Sequence, residues 1–325
     1  MNEPPQGTGA RRPLAPGRIR QAAQGYLNAI SAYDNSPWPG DGDMAGWVNL
    51  IATRDAGVRA MCEAGVPSEE ILGRQVVEIA GVPTFVLTPA TVADARRPPL
   101  FLEVHGGGLH MAGGELSWMV TAAKMAGRQG VSWVPDYRNP PEHPYPAALT
   151  DCLAVYRAAL EERAPEEIVV SGTSGGGNLA AALLLKARDE GLPMPAGLLL
   201  LTPQLDLTES GDSFATNDGV DILASLMPAN RLYAGGADLA DPYLSPLFGD
   251  VRDFPPTLLQ AGTRDLFLSN SVRMHRKLLA AGVTADLHVF EAMPHGGFGG
   301  HAPEDQDLRE TEWRFERACL GLDLN

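Results

Sequence analysis

Cysteine is scarce in this chain: three residues in 325, Cys62, Cys152 and Cys319, far apart. An odd number with no C-x-x-C pair argues against a disulfide framework. Cys152 falls on the apolar stripe of a helical stretch, Leu149 to Tyr156, and reads as core packing. No H-E-x-x-H or other clustered ligand spacing occurs, so no metal is expected. Basic runs are missing too. Lys and Arg total 25 against 40 Asp and Glu, a net charge of −15, and Arg11-Arg12 and Arg96-Arg97 are isolated pairs. Such a balance argues against nucleic acid or anionic membrane as a partner. No apolar run approaches a membrane span. Met1 to Pro16 is rich in Pro, Gly and Gln and has no apolar h-region, so it does not read as a signal peptide. A cytoplasmic location and a flexible tail over residues 1–18 are the expectations. No internal repeat is visible.

What the chain does have is an alternation of strand and helix signals, which argues for α/β architecture with a mostly parallel sheet. Within it, Ile168 to Ala180 carries a β-branched run into Gly172-Thr173-Ser174-Gly175-Gly176 and then a helical pattern. This strand–turn–helix context makes a serine a nucleophile. The turn is so sharp that its flanking residues must be very small, which Gly172 and Gly176 satisfy. The hydroxyl then stands at the positive end of the following helix. Upstream, the apolar strand from Leu100 ends in His105-Gly106-Gly107-Gly108. Successive glycines let the backbone aim N–H groups at one point, as a developing oxyanion requires. Gly107 and Gly108 are the candidate donors, with Gly175, directly after the nucleophile, as the third.

A third segment, Asp136 to Ala148, joins these two motifs. Together they resemble the bacterial hormone-sensitive lipase family of esterases, a branch of the α/β-hydrolases. The segment departs from the family pattern only at Asn139, Pro140 and Tyr145, and Thr173 in the elbow marks a subgroup. The resemblance covers roughly residues 75 to 318 and implies an α/β-hydrolase fold, a mostly parallel sheet flanked by helices under a helical cap. In that fold the triad follows the chain order serine, acid, histidine. After Ser174, Thr257 to Gln260 reads as a buried strand leading to Asp265, then a helix from about Ser269 to Ala281 closes on Gly282. Leu287 to Phe290 reads as the last strand, and its exit loop carries His295. His295 is therefore the expected general base and acid, and Asp265 the residue that orients it. Of the rival histidines, His105 is expected to brace the glycine run and His143 to serve its loop; His110, His275, His288 and His301 have no motif context. The rival acids Asp206, Asp241 and Glu291 do not follow a strand at the right place.

The expected layout is a tail over 1–18, cap helices over 19–70, the catalytic domain over 71–205 and 256–325, and a second cap segment over 206–255. Within that segment Asp221 to Met227 and Ala229 to Tyr233 read as short helices broken at Pro228. The expected activity is hydrolysis of short to medium acyl esters through an acyl-enzyme, without a cofactor, on a small-molecule ester; a homodimer stays open. Lactone, carbamate or amide hydrolysis on the same three residues stays open as well. So does a ligand-binding homologue that has kept the fold and lost catalysis, although all three residues are present.

Overall fold

The computed structural model describes residues 13–29, 36–40, 42–300 and 302–322. Its centre is a sheet of eight strands: β1 (Leu72–Ile79), β2 (Val82–Pro89), β3 (Leu100–Val104), β4 (Val131–Pro135), β5 (Ile168–Thr173), β6 (Gly197–Leu201), β7 (Thr257–Gly262) and β8 (Ala285–Phe290). The spatial order is β1-β2-β4-β3-β5-β6-β7-β8. β2 runs antiparallel to β1 and to β4, and every other neighbouring pair is parallel. Around the sheet lie α1 (Gln21–Ala29), α2 (Met44–Cys62), α3 (Leu116–Met119), α4 (Ala122–Ala126), α5 (Ala147–Glu162), α6 (Gly175–Asp189), α7 (Ser213–Thr216), α8 (Met227–Ala234), α9 (Leu268–Ala280) and α10 (Pro303–Cys319).

The apolar runs in the sequence follow from position in this sheet. β3, β6 and β7 are buried along their whole length, and β5 is buried up to Thr173. A strand covered on both faces has no polar side to show, so its pattern is continuous rather than alternating. β6 makes the two faces visible. Leu198 and Leu200 join the large core with α5 and α6, while Leu199 and Leu201 pack with Leu258 and with Phe315 of α10 on the other side. Cys152 sits fully inside the large core, as its helical stripe predicts. β1 and β8, at the two edges, each bury only one residue.

Two local expectations change. Residues 221–226 are not helical; α8 begins at Met227 and carries Pro228 in its first turn. Proline has no N–H to lose there, so it starts this helix instead of breaking one. The Asp221 carboxylate also takes the Ile222 N–H at 2.7 Å, a local bond that competes with helix formation. At the N-terminus, residues 1–12 of the expected tail lie outside the described residues. Leu14 O accepts a hydrogen bond from Arg264 at 2.8 Å, and Ile19 and Ala23 pack against Ala292, Met293, Phe298 and Ala302. α1 thus lies beside the loop that follows β8. No helix among the described residues is long and apolar enough to cross a membrane.

Candidate active site

β5 ends at Thr173 and α6 begins at Gly175, so Ser174 alone makes the turn, with φ 57° and ψ −122°. That is a strained conformation for a residue with a Cβ. It is held by Ser174 N–H donating to Leu201 O at 2.8 Å and by Gln204 N–H donating to Ser174 O at 3.1 Å. A Cβ on Gly172 would lie 2.3 Å from Gly176 O, and one on Gly176 would lie 2.1 Å from Val104 O. Both glycines are therefore required by space, as the elbow pattern predicts.

The glycine run after β3 crosses directly over this turn. Gly107 and Gly108 have φ of 131° and 56°, and a Cβ on Gly107 would meet Met111 O at 2.2 Å. Every carbonyl of the run is engaged. His105 Nδ1–H donates to Gly106 O at 2.7 Å, His110 Nδ1–H to Gly108 O at 2.8 Å, and the backbone N–H groups of His110 and Met111 to Gly107 O at 3.1 Å each. With the carbonyls turned outward, the N–H groups of Gly107, Gly108 and Gly175 meet no acceptor among the described residues. Burial drives the pKa of both His105 and His110 down to about 4, which leaves each imidazole neutral, with its Nδ1–H donated to the carbonyl. His105 stacks on Tyr137 with centroids 4.1 Å apart, and Tyr137 O–H donates to His105 O at 2.8 Å. The Asp136 to Ala148 segment thus supports the glycine run from below. His110, which had no motif context, packs against Trp38 and Trp47.

Gly175 opens α6 outside the left-handed region, so its backbone conformation does not call for glycine, but its surroundings leave no room for a methyl group. An added Cβ would lie 2.8 Å from Leu109 N and 3.1 Å from Gly108 N, both backbone atoms of that loop.

The side chains expected to act together do meet. His295 Nε2 lies 2.9 Å from Ser174 Oγ, and its Nδ1 lies 3.0 Å from Asp265 Oδ1. With the proton on Nδ1, the ring donates to the carboxylate and is free to accept from the serine. Asp265 Oδ1 also accepts the Phe267 N–H at 2.9 Å, and the Phe267 ring meets His295 edge-on with centroids 5.0 Å apart. Burial alone would lower the His295 pKa. The charges of Asp265 and Asp221 and the Asp265 hydrogen bond outweigh it, so it stands above the ordinary value of 6.5. Two of the rival acids are employed elsewhere. Asp206 takes Thr208, Ser210 and Arg273, and Asp241 closes a turn on Tyr243. His301 lies outside the described residues.

One residue that sequence reasoning did not single out is Asp221. It is buried, and ligand atoms of Asp221, Asp265 and His295 lie within 4.8 Å of one another. Asp221 accepts backbone N–H groups and His295 Nδ1 faces Asp265 Oδ1, while Asp265 Oδ2 has no hydrogen-bond partner among the described residues. No strand end or glycine marks Asp221 in the sequence.

A family profile described as an alpha/beta hydrolase fold matches residues 101–298. An esterase of Acinetobacter venetianus is 34% identical over 62% of this chain and 68% of its own length. Among solved structures, esterase E25 superposes with a TM-score of 0.86 at 33% identity, covering 98% of this chain and 99% of that one. The hormone-sensitive-lipase homologue EstE7 from a metagenome library gives 0.75 at 30% identity, over 86% of this chain and 99% of that one.

Proposed function

The chain belongs to the bacterial hormone-sensitive-lipase branch of the α/β-hydrolases and is a carboxylic ester hydrolase, and from that premise we propose that Ser174, Asp265 and His295 are its catalytic triad. The observation that carries this reading is the unbroken chain Ser174 Oγ, His295 and Asp265, with steps of 2.9 and 3.0 Å. Serine is a weak nucleophile until a base removes its proton. His295 Nε2 takes that proton as Oγ bonds to the ester carbonyl carbon. Asp265 holds the tautomer and stabilises the imidazolium. The carbonyl oxygen, now negative, is met by the N–H groups of Gly107, Gly108 and Gly175 at the head of α6. Collapse breaks the C–O bond, and His295 returns the proton to the departing alcohol. Water, deprotonated by the same imidazole, then releases the acid and restores Ser174. The substrate class is esters of short to medium acyl chains. Residues 19–70 and 206–255 are the cap. In support, Trp47 and Leu50 of α2 pack on Ala229 of α8, and the Leu226 side chain reaches to 3.6 Å of where a Gly108 Cβ would stand.

The test is Ser174→Ala, for which we expect a loss on the order of 10⁶ in kcat on p-nitrophenyl butyrate, with the fold intact. Asp265→Asn and His295→Ala should be severely impaired and Glu291→Gln should not. Turnover by Ser174→Ala within tenfold of the parent refutes the nucleophile; greater damage from Glu291→Gln than from Asp265→Asn refutes the acid. Substrates of about two to eight acyl carbons should be preferred, since each buried CH₂ adds about 0.8 kcal/mol only while the pocket encloses it. Efficient hydrolysis of emulsified long-chain triglyceride would overturn that range.

A further inference from the structure

The loops that carry Asp265 and His295 follow two paired strands and meet directly near their starts, where Arg264 N–H donates to Met293 O at 3.1 Å and Ala292 N–H to Thr263 Oγ1 at 2.7 Å. A third segment joins them again, nearer the two side chains. Asp221, between α7 and α8, accepts the backbone N–H of His295 through Oδ1 at 2.9 Å and that of Leu266 through Oδ2 at 2.7 Å. Its neighbours hold the same acid loop. Asn217 Nδ2 donates to Asp265 O at 2.8 Å, and Ser213 O–H donates to Leu266 O at 2.7 Å while its own N–H donates to Ser269 Oγ at 2.8 Å. One short stretch of chain therefore grips the backbone directly after the Asp265 carboxylate and at the root of the imidazole. N–H bonds to a buried carboxylate are charge-assisted and stronger than neutral ones.

We propose that Asp221 is a positioning residue for the hydrolysis: it clamps the Asp265 loop to the His295 loop and holds a second negative charge behind the imidazole. This rests on the triad reading above. Two consequences follow. The geometry of the base depends on how the 206–255 segment is seated, since that segment supplies the clamp. The imidazolium formed in the transition state is stabilised by two carboxylates. The charges of Asp265 and His295 act directly on Asp221. Burial and the Asp265 charge push the pKa of Asp221 up to about 6, so its charge is present above that pH and fades below it.

The experiment is a pH profile of kcat and KM for the parent, Asp221→Asn and Asp221→Glu on p-nitrophenyl butyrate. Misplacing a base by about 1 Å costs on the order of 10²-fold, so Asp221→Asn should lose roughly 10- to 100-fold in kcat with KM changed less than about threefold. Its acid limb should move to lower pH by about half a unit or more, because the charge that favours the imidazolium is gone. Asp221→Glu keeps the charge on a longer arm; it should lose kcat and keep the parental limb. An Asp221→Asn enzyme with parental kcat and limb overturns the proposal. A kcat loss with an unmoved limb reduces Asp221 to a structural residue and also overturns it, as does failure of both variants to fold. Ser174→Ala, run beside them, separates the two readings: if it turns over, the triad assignment has failed, and if it is dead while Asp221→Asn is normal, only the clamp has.

Discussion

A single methyl group decides how closely the glycine loop sits on the elbow. Ala is the better helix former by roughly 0.8–1.0 kcal/mol, so at the start of α6 it should stabilise if nothing stood in its way. Backbone does stand there: Leu109 N at 2.8 Å and Gly108 N at 3.1 Å from the added carbon. Gly175→Ala should therefore push away the loop whose N–H groups are proposed to hold the oxyanion. Removing one such donor costs on the order of 10²–10³ in kcat, so a displacement should cost about tenfold or more, with no gain in Tm. Parental kcat in this variant would mean that the loop yields without harm. His295 sets a second expectation. The ring must be neutral to take the serine proton, so kcat/KM rises as pH climbs through its pKa. Because Asp265 and Asp221 hold that pKa up, the limb should centre at or above about 6.5. A profile flat from about pH 5 to 9 would remove His295 as the base.

At the scale of elements, α10 makes a contribution that depends on pH. It lies over a charged layer at the back of the sheet. Lys124 Nζ is 2.8 Å from Glu103 Oε1, and Arg128 Nη2 is 2.9 Å from Glu103 Oε2 and 2.7 Å from Glu316 Oε1. Glu312, one turn before Glu316, is buried there with neither carboxylate oxygen hydrogen-bonded among the described residues. Burial pushes its pKa from 4.5 up to about 7, against the pull of Lys124. A raised acid pKa means the folded state holds the proton more tightly. The contribution of Glu312 is thus favourable below about 4.5 and is lost as pH rises through about 7. Glu312→Gln removes that loss. We expect its Tm to exceed the parent's by a few degrees at pH 8 and by much less at pH 5, read by calorimetry. An unchanged difference between the two pH values would show that Glu312 is not neutral in the fold. Nothing in the local pattern announces this layer. Glu103, Lys124, Arg128 and Glu316 are scattered over more than 200 positions, and each alone reads as surface charge. Asp221 is invisible for the same reason: its partners are 45 and 74 residues away. By contrast, β5 and β7, which lead to Ser174 and Asp265, are legible, because burial on both faces writes itself as a continuous apolar run; β8, at the sheet edge before His295, has no such run.

For the molecule as a whole, the parts most readable in sequence are those where backbone space leaves one choice of residue. Gly172, Gly176 and Gly107 each have backbone oxygen where a Cβ would go, and they mark the elbow and the glycine loop. The segments over the site are less readable, because they are fixed by side-chain contacts between distant pieces, such as Trp47 with Ala229. Net charge is a property of the whole that neither kind of reading uses. At −15 it gives the whole molecule a negative field, screened over about 10 Å at 0.1 M salt and farther-reaching in dilute buffer. A neutral ester does not feel it, so its kcat/KM should stay level with ionic strength. An anionic ester of matched size, such as a hemisuccinate, approaches against the field. Its kcat/KM should rise about twofold or more as salt goes from 0.01 to 0.2 M, while a choline ester should fall. Salt slopes equal for all three would mean that the field at the mouth of the site is not the field of the whole surface. The local charges of the pocket, rather than the acidic exterior, would then govern which esters arrive.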